Sequence, residues 1–458
     1  MSVPSIDKAI GIEAYGTHTA GIGGVIRESV EDFSVEEVLV DCSVARIERS
    51  AERKPLGAST HKQRYLLCVL VKRNWDTFMA VKEMAKQLGV SQSQIQIAGI
   101  KDARAVTAQH ITIENASMED VATISLRDIE VRPVGYFRDS LSPFYLLGNK
   151  FKIRIKNVKH AEKGIEKRIA KTMESLGRDG GIPNFFGHQR FGTTRSITHL
   201  VGKAILKGDF EEAAMIFLAQ PTPYEHPESS QARKELLEKR DFKLALRGFP
   251  RQLRYERLML SRLAEEPCDF VGAFERLPER LQELFVQAYQ SYLFNRFLSE
   301  RLRNGFALNR AEAGDFVVRV DRSGLPVART GKIVGAESFS EINEQVEAGR
   351  MRVALPLVGM KQGLSEGAIG QLEKQVLEKA GVDSLNFRVD ALPRMSARGE
   401  LRAGVSPIRE FQIPRISGAK GVPKSCQVEL EFMLLRGSYA TMLLREVMKP
   451  RDPIAAGF

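Results

Sequence analysis

A chain of 458 residues exceeds one ordinary hydrophobic core, so two or three domains are expected. Its 43% hydrophobic and 27% charged residues are those of a globular protein, and no stretch approaches the roughly 18 consecutive apolar residues that span a bilayer. The excess of Lys and Arg (68) over Asp and Glu (57), a net charge of +11, suits a polyanionic partner such as nucleic acid, though a basic cytosolic protein of another kind shows it too.

The first residues, Met1 to Lys8, contain nothing like the apolar core of a signal peptide, so the cytoplasm is expected. Cys42, Cys68, Cys268 and Cys426 are far apart and form no CxxC pair. The seven histidines form no HExxH or HxH pattern. These spacings argue against a disulfide scaffold and a structural zinc site.

Residues 35–40 and 61–71 read as strands, the second so apolar from Tyr65 to Val71 that it belongs inside a sheet. Residues 77–88 predict an amphipathic helix with Phe78, Val81, Met84, Ala85 and Leu88 on one face, ended by Gly89. Strands over 95–100 and 110–113 flank the polar connection 101–109. From Lys150 the period is two, with Phe151, Ile153 and Ile155 facing one way and Lys152, Arg154 and Lys156 the other. That basic row is either a solvated strand face or a track for a phosphate backbone. A helix over 161–176 follows, with Ile165, Ile169, Met173 and Leu176 as its inward stripe.

Beyond residue 195 helices dominate, over roughly 197–207, 210–219, 228–239, 251–264 and 278–302. Short strands are expected at 315–320, 331–334 and 352–359, then a helix near 365–380. A last strand carries Val428, Leu430, Phe432 and Leu434. After Gly437, Ser438 is placed to cap a final helix running to Met448. The simplest arrangement is an α+β fold: a sheet domain built from both chain ends, interrupted by a helix-rich insertion.

Three segments carry chemistry. In Ala98–Gln109 a strand ends at Gly-Ile-Lys-Asp, and Lys101 and Arg104 would favour an ionised Asp102, suited to a nucleophile or electrostatic stabiliser. An aspartate there is also a common turn or cap residue. The run from Gly181 to Gly192 sets Phe185, Phe186 and Phe191 among Asn184, Gln189 and Arg190. Such a loop can stack on bases, pair with base edges and reach a phosphate, or it can close over an aromatic mini-core. The run Leu435–Glu446 leads a strand into a helix, with Tyr439 as a second stacking group.

Together GIKDARAVTAQ, NFFGHQRFG and RGSYATMLLRE resemble the motifs of the TruD pseudouridine synthases, in their order. The run from Gly24 to Glu37 and the segment Ala288 to Arg296 resemble further parts of that family, so the likeness extends from residue 24 to 446. The resemblance implies a pseudouridine synthase catalytic domain, with a central mixed, mostly antiparallel sheet and flanking helices. It would be formed by 1–198 and 411–458 around an insertion at 199–410. It implies that Asp102 is catalytic, that Phe186 lies against the reacting base and that Asn184 contacts the uridine. Phe33 and Tyr439 would line the pocket, Arg27 would stand where many members have a lysine near the aspartate, and Lys101 and Arg190 would assist substrate binding.

The implied substrate is tRNA at uridine 13, with no cofactor, no metal and no obligatory protein partner. Asp102 would act either covalently at the ribose or by removing a ribose proton. The alternatives are an RNA-binding protein or chaperone without turnover, and a methyltransferase. The second would need a glycine-rich loop after its first strand, whereas Gly21-Ile22-Gly23-Gly24 precedes it.

Overall fold

The structure, a computed structural model, describes residues 2–49, 54–192, 194–382, 387–418 and 425–458. The chain divides into two compact units. One comprises Thr19–Ile182 and Ser406–Phe458; the other comprises the N-terminal residues up to His18 and Pro183–Val405. No helix among the described residues is long and apolar enough to cross a membrane.

The first unit is built on an eight-stranded sheet. Its strands are β1 (Phe33–Leu39), β2 (Tyr65–Arg73), β3 (Ile95–Ile97), β4 (Val106–Glu114), β5 (Ile129–Phe137), β6 (Leu146–Val158), β7 (Ile408–Gly418) and β8 (Cys426–Leu435). They lie in the order β7-β8-β6-β1-β4-β2-β5, with β3 added to β4. Only β1 and β4 are parallel among these pairs, so the sheet is mixed and mostly antiparallel, as expected.

The apolar run of β2 is interior. Leu66, Cys68 and Leu70 pack with Val81, Met84 and Ala85 of helix α1 (Thr77–Leu88), while Val69 and Val71 pack with Ala45 and Ala108 on the opposite face. Helix α1 starts on an Asp76 cap and ends, as predicted, at Gly89, whose φ of 67° is left-handed. Phe78 departs from the expected inward stripe. It lies in the first turn, with Thr77 buried in its stead, and is 45% exposed.

Strands β5 and β7 were not expected from the sequence. Each carries a proline, Pro133 and Pro414, and each lies at an edge of the sheet. An edge strand tolerates a residue that cannot donate to a ladder, so the physics is ordinary, but the local pattern reads as a break. Helix α2 (Glu162–Arg178) turns Ile165, Ile169 and Leu176 inward as expected, with Thr172 buried where Met173 was predicted.

The second unit is organised around helix α3 (Glu279–Arg303), buried over much of its circumference. A four-stranded sheet runs in the order Glu400–Ala403, Met351–Leu357, Phe316–Val320, Pro326–Ile333. Arg301 of α3 makes a buried two-pronged ion pair with Asp315, at 2.6 and 2.9 Å. Near it, Glu373 accepts from the Ser365 amide at 2.7 Å and hydroxyl at 3.1 Å.

Burial, helped by Asp315, outweighs those two bonds and raises the Glu373 carboxyl from 4.5 to about 7. A carboxyl raised on folding favours the native state at low pH. That contribution is lost as pH rises from about 4.5 through about 7. Glu373→Gln should therefore gain thermal stability relative to the parent at pH 8 and gain little at pH 5, with on the order of 3 kcal/mol as the upper limit. Paired melting curves at the two pH values check this.

Candidate active site

Asp102 stands in the loop between β3 and β4, where the apolar strand gives way to Gly99-Ile100-Lys101-Asp102. Its carboxylate is 22% exposed and accepts from Arg27 Nη2 at 2.9 Å. The Arg27 guanidinium in turn lies 4.0 Å from the centroid of the Phe33 ring. Arg27 and Phe33, six residues apart, and Asp102, 75 residues beyond Arg27, thus form one stack: an apolar ring, a planar cation and a part-exposed anion. A planar guanidinium is suited to stacking and pairing at once.

The backbone holding Arg27 is strained. Its φ of 59° is left-handed, which a non-glycine residue adopts at a cost of order 1–3 kcal/mol. The bridge Val25–Lys156 and the bond from the Ile26 amide to Ala456 O (2.9 Å) hold this turn in place. Gly457 is needed there: its φ is 90°, and an added Cβ would stand 2.1 Å from Ile26 O. Burial and the nearby Arg104 push the Arg27 guanidinium downward from its ordinary value, and Asp102 opposes them. It stays charged at any physiological pH.

Lys101 does something other than expected. Its ammonium is turned inward and donates to Glu37 Oε1 at 2.6 Å, and both side chains are almost fully buried. Glu37 also accepts from the His110 amide at 2.8 Å. Burial alone would raise the Glu37 carboxyl, but Lys101 and His110 overcome it and hold it at about 2. The expected substrate contact is therefore replaced by a buried ion pair that fastens the loop. The cation on Asp102 is Arg27, 75 residues away in sequence. The Thr77 hydroxyl secures the same loop, within 3.2 Å of both the amide and the carbonyl of Lys101.

The basic row of β6 is likewise occupied. Lys152 meets Glu429 and Glu431 at 3.0 and 3.1 Å, Arg154 meets Asp32 and Glu429, and Lys156 meets Asp32 at 2.8 Å. Most of the partners are cross-strand residues on β8, invisible to a local reading. The row is charge-neutralised rather than a free phosphate track. Tyr439, in the same unit, is half-buried at the start of the terminal helix Ala440–Met448. Ser438 does not cap that helix, because its hydroxyl meets that of Ser406 at 2.6 Å.

Asn184, Phe186 and Arg190 gather in the second unit. The Phe186 ring is 8% exposed, with Arg402 over it at 4.0 Å, Arg190 at 5.6 Å, and Phe294 of α3 edge-on at 5.5 Å. Asn295 clamps its backbone, accepting from the Phe186 amide at 2.8 Å and donating to its carbonyl at 3.1 Å. The Asn184 amide braces the loop: Nδ2 donates to Ala403 O at 3.0 Å, and Oδ1 accepts from Arg402 at 2.8 Å. One Nδ2 hydrogen is left for the expected contact to a base. Arg190 donates to Ser291 at 3.1 Å and Gln287 at 3.3 Å on α3.

The sequence does not assign Arg402, Asn295 or Lys72 to the site, the last lying beside Arg73 at the polar end of an apolar strand. Asn295 lay inside the segment Ala288 to Arg296 that resembled the family; an amide amid helical hydrophobics was the available signal. Arg402 offered none.

The family model described as tRNA pseudouridine synthase D (TruD) matches residues 9–447. Proteins described as probable tRNA pseudouridine synthase D are similar throughout. One from Methanosarcina acetivorans is 39% identical over 455 residues, 99% of each chain. One from Pyrococcus abyssi is 38% identical over 435 residues, 95% of this chain and 98% of that one. A crystal structure designated tRNA pseudouridine synthase D from Methanosarcina mazei superposes with a TM-score of 0.82 at 37% identity, covering 98% of this chain and 99% of the other.

Proposed function

The chain belongs to the TruD family of tRNA pseudouridine synthases, and from that premise we propose that it isomerises uridine 13 of tRNA, with Asp102 as the reacting carboxylate. The enzyme is an isomerase. The bond from uracil N1 to the ribose C1′ breaks, the base turns, and C5 bonds to C1′; the C5 proton leaves and N1 gains one. The observation that carries the role of Asp102 is its ion pair with Arg27 on a rigid, part-exposed corner.

An anionic carboxylate fits both available routes, attack at C1′ and removal of a ribose proton. In the first, Asp102 bonds C1′ as N1 departs and that bond breaks as C5 attacks; in the second, it takes a ribose proton as N1 departs and returns it as C5 adds to C1′. In either, the uridine leaves its stack to be reached; the family resemblance assigns the uracil to Phe186, whose ring carries Arg402 and Arg190 beside it. The family resemblance likewise assigns Phe33 and Tyr439 to the uridine. The family organisation would make 1–198 and 411–458 a catalytic domain around an insertion at 199–410, whereas the compact units divide at 182/183 and 405/406 and place residues up to 18 in the second. The protein acts in the cytoplasm on tRNA, and no protein partner is invoked.

Site specificity is tested with unmodified tRNA transcripts, one natural and one with uridine 13 replaced by cytidine. Pseudouridine should be found at position 13 of the first and nowhere in the second. Equal modification of both would refute the site. Phe186→Ala should lower kcat by roughly 10–100-fold, the worth of one base–aromatic stack, with a smaller change in KM. Steady-state kinetics on the same transcript checks it, and unchanged kcat would remove the stacking role.

A further inference from the structure

Lys72 of β2 has no accessible surface. Its ammonium donates to two main-chain oxygens, that of Trp75 at 2.7 Å and that of Asp102 at 2.8 Å. A fully buried lysine is rare unless it meets a carboxylate, and here both acceptors are neutral carbonyls. Its sheet neighbours, Thr107 on β4 and Ile129 on β5, are uncharged. The charged groups that act on it are the Asp102 and Asp76 carboxylates, which favour the ammonium, and Lys101, which opposes it.

We propose that Lys72 is a positioning residue for the reaction. By holding the Asp102 carbonyl and placing positive charge beneath the loop, it sets the direction in which the Asp102 carboxylate leaves the protein. The inference rests on the reading of Asp102 as the reacting group.

Three facts support it. The loop is tied at two successive residues, Lys101 by Thr77 and Glu37 and Asp102 by Lys72, and between these ties and the Arg27 ion pair the Asp102 carboxylate stays part-exposed. A purely mechanical strut would not need a charge, since a buried ammonium with neutral partners opposes folding. Burial also brings the Lys72 ammonium down to about 8, against the pull of Asp102 and Asp76, so its charge is lost within the range where tRNA enzymes are assayed. A neutral amine keeps its two N–H bonds, so titration removes the charge and leaves the geometry.

The test uses the full chain with wild type, Lys72→Met and Lys72→Gln, measuring single-turnover rate and tRNA Kd from about pH 6 to about pH 10. Lys72→Met should lower the rate on the order of 100-fold, the effect of displacing a reacting group by about 1 Å, while Kd changes little. Lys72→Gln keeps a donor without a titrating charge. It should lose less, and it should lack the alkaline decline expected of wild type near pH 8. A decline caused by the uracil N3–H would persist in Lys72→Gln.

Wild-type rate and decline in both variants would overturn the proposal, as would parallel loss of rate and Kd. Should neither variant fold, wild type decides: a rate flat through pH 8 overturns the inference. Asp102→Asn is run beside them. An active Asp102→Asn defeats the underlying reading, whereas an inactive one with unaffected Lys72 variants defeats this inference alone.

Discussion

Asp102→Asn should reduce pseudouridine formation by about 10⁴-fold or more while tRNA still binds with near wild-type Kd. The substitution is nearly isosteric and leaves the loop's fastenings untouched. Glu37–Lys101, Thr77 and Lys72 all act on neighbouring side chains or on the backbone. What it removes is the anion. An amide neither attacks C1′ nor accepts a ribose proton at neutral pH, so both chemical routes fail together. Binding survives because tRNA affinity comes chiefly from many phosphate contacts spread over the surface. Loss of binding in step with rate would mean that Asp102 supports the fold rather than the reaction.

Arg27→Ala should lower kcat by roughly 100- to 1,000-fold, and Arg27→Lys should recover much of that loss. Arginine here does two things: it donates to Asp102 at 2.9 Å and lies on Phe33 at 4.0 Å. Alanine leaves the carboxylate without the charge-assisted bond that orients it, and leaves Phe33 without its cover. Lysine retains the charge, as the family resemblance at this position implies, but it loses the planar face that stacks. If Arg27→Ala kept full kcat, the ion pair would be incidental.

The strained backbone of Arg27 gives this prediction a second edge. The unfavourable φ is common to Arg, Lys and Ala and so does not separate their stabilities; lost packing on Phe33 lowers that of Arg27→Ala, and Arg27→Lys, which keeps the charge and most of the stem, is the cleaner variant. A fall in activity without a fall in melting temperature separates a role in the site from one in folding.

Periodicity made most of the regular structure legible. Helix α1 spans its predicted residues 77–88 and ends at Gly89, and β6 alternates as its sequence does. What escaped were features decided by neighbours distant in the chain. Strands β5 and β7 contain prolines that only an edge position accommodates, and a local pattern cannot show where an edge lies. Phe78 fits a helical stripe but falls in the first turn, where Thr77 is the buried residue.

The site divides the same way. GIKD and NFFG located Asp102 and Phe186 through family resemblance; composition alone left each with an ordinary structural alternative. Electrostatic partners were the weakest inference, because adjacency in sequence is not adjacency in space. Lys101 follows Ile100 toward Asp102 but pairs with Glu37 on β1. Lys152 and Arg154 present a basic row that β8 neutralises. Lys72 was hidden by its strand, reading as a polar end to an apolar run.

The most direct measurement of the central claim is tritium release from tRNA transcribed with uridine labelled at C5. Joining C5 to the ribose expels that hydrogen, whereas RNA binding without turnover and methylation of ribose or of other base atoms leave it in place. The purified chain, with no small molecule added, should release one equivalent of tritium per modified uridine, matched by pseudouridine in the digested product. A protein that binds the labelled tRNA but releases none, or releases it without forming pseudouridine, would contradict the account.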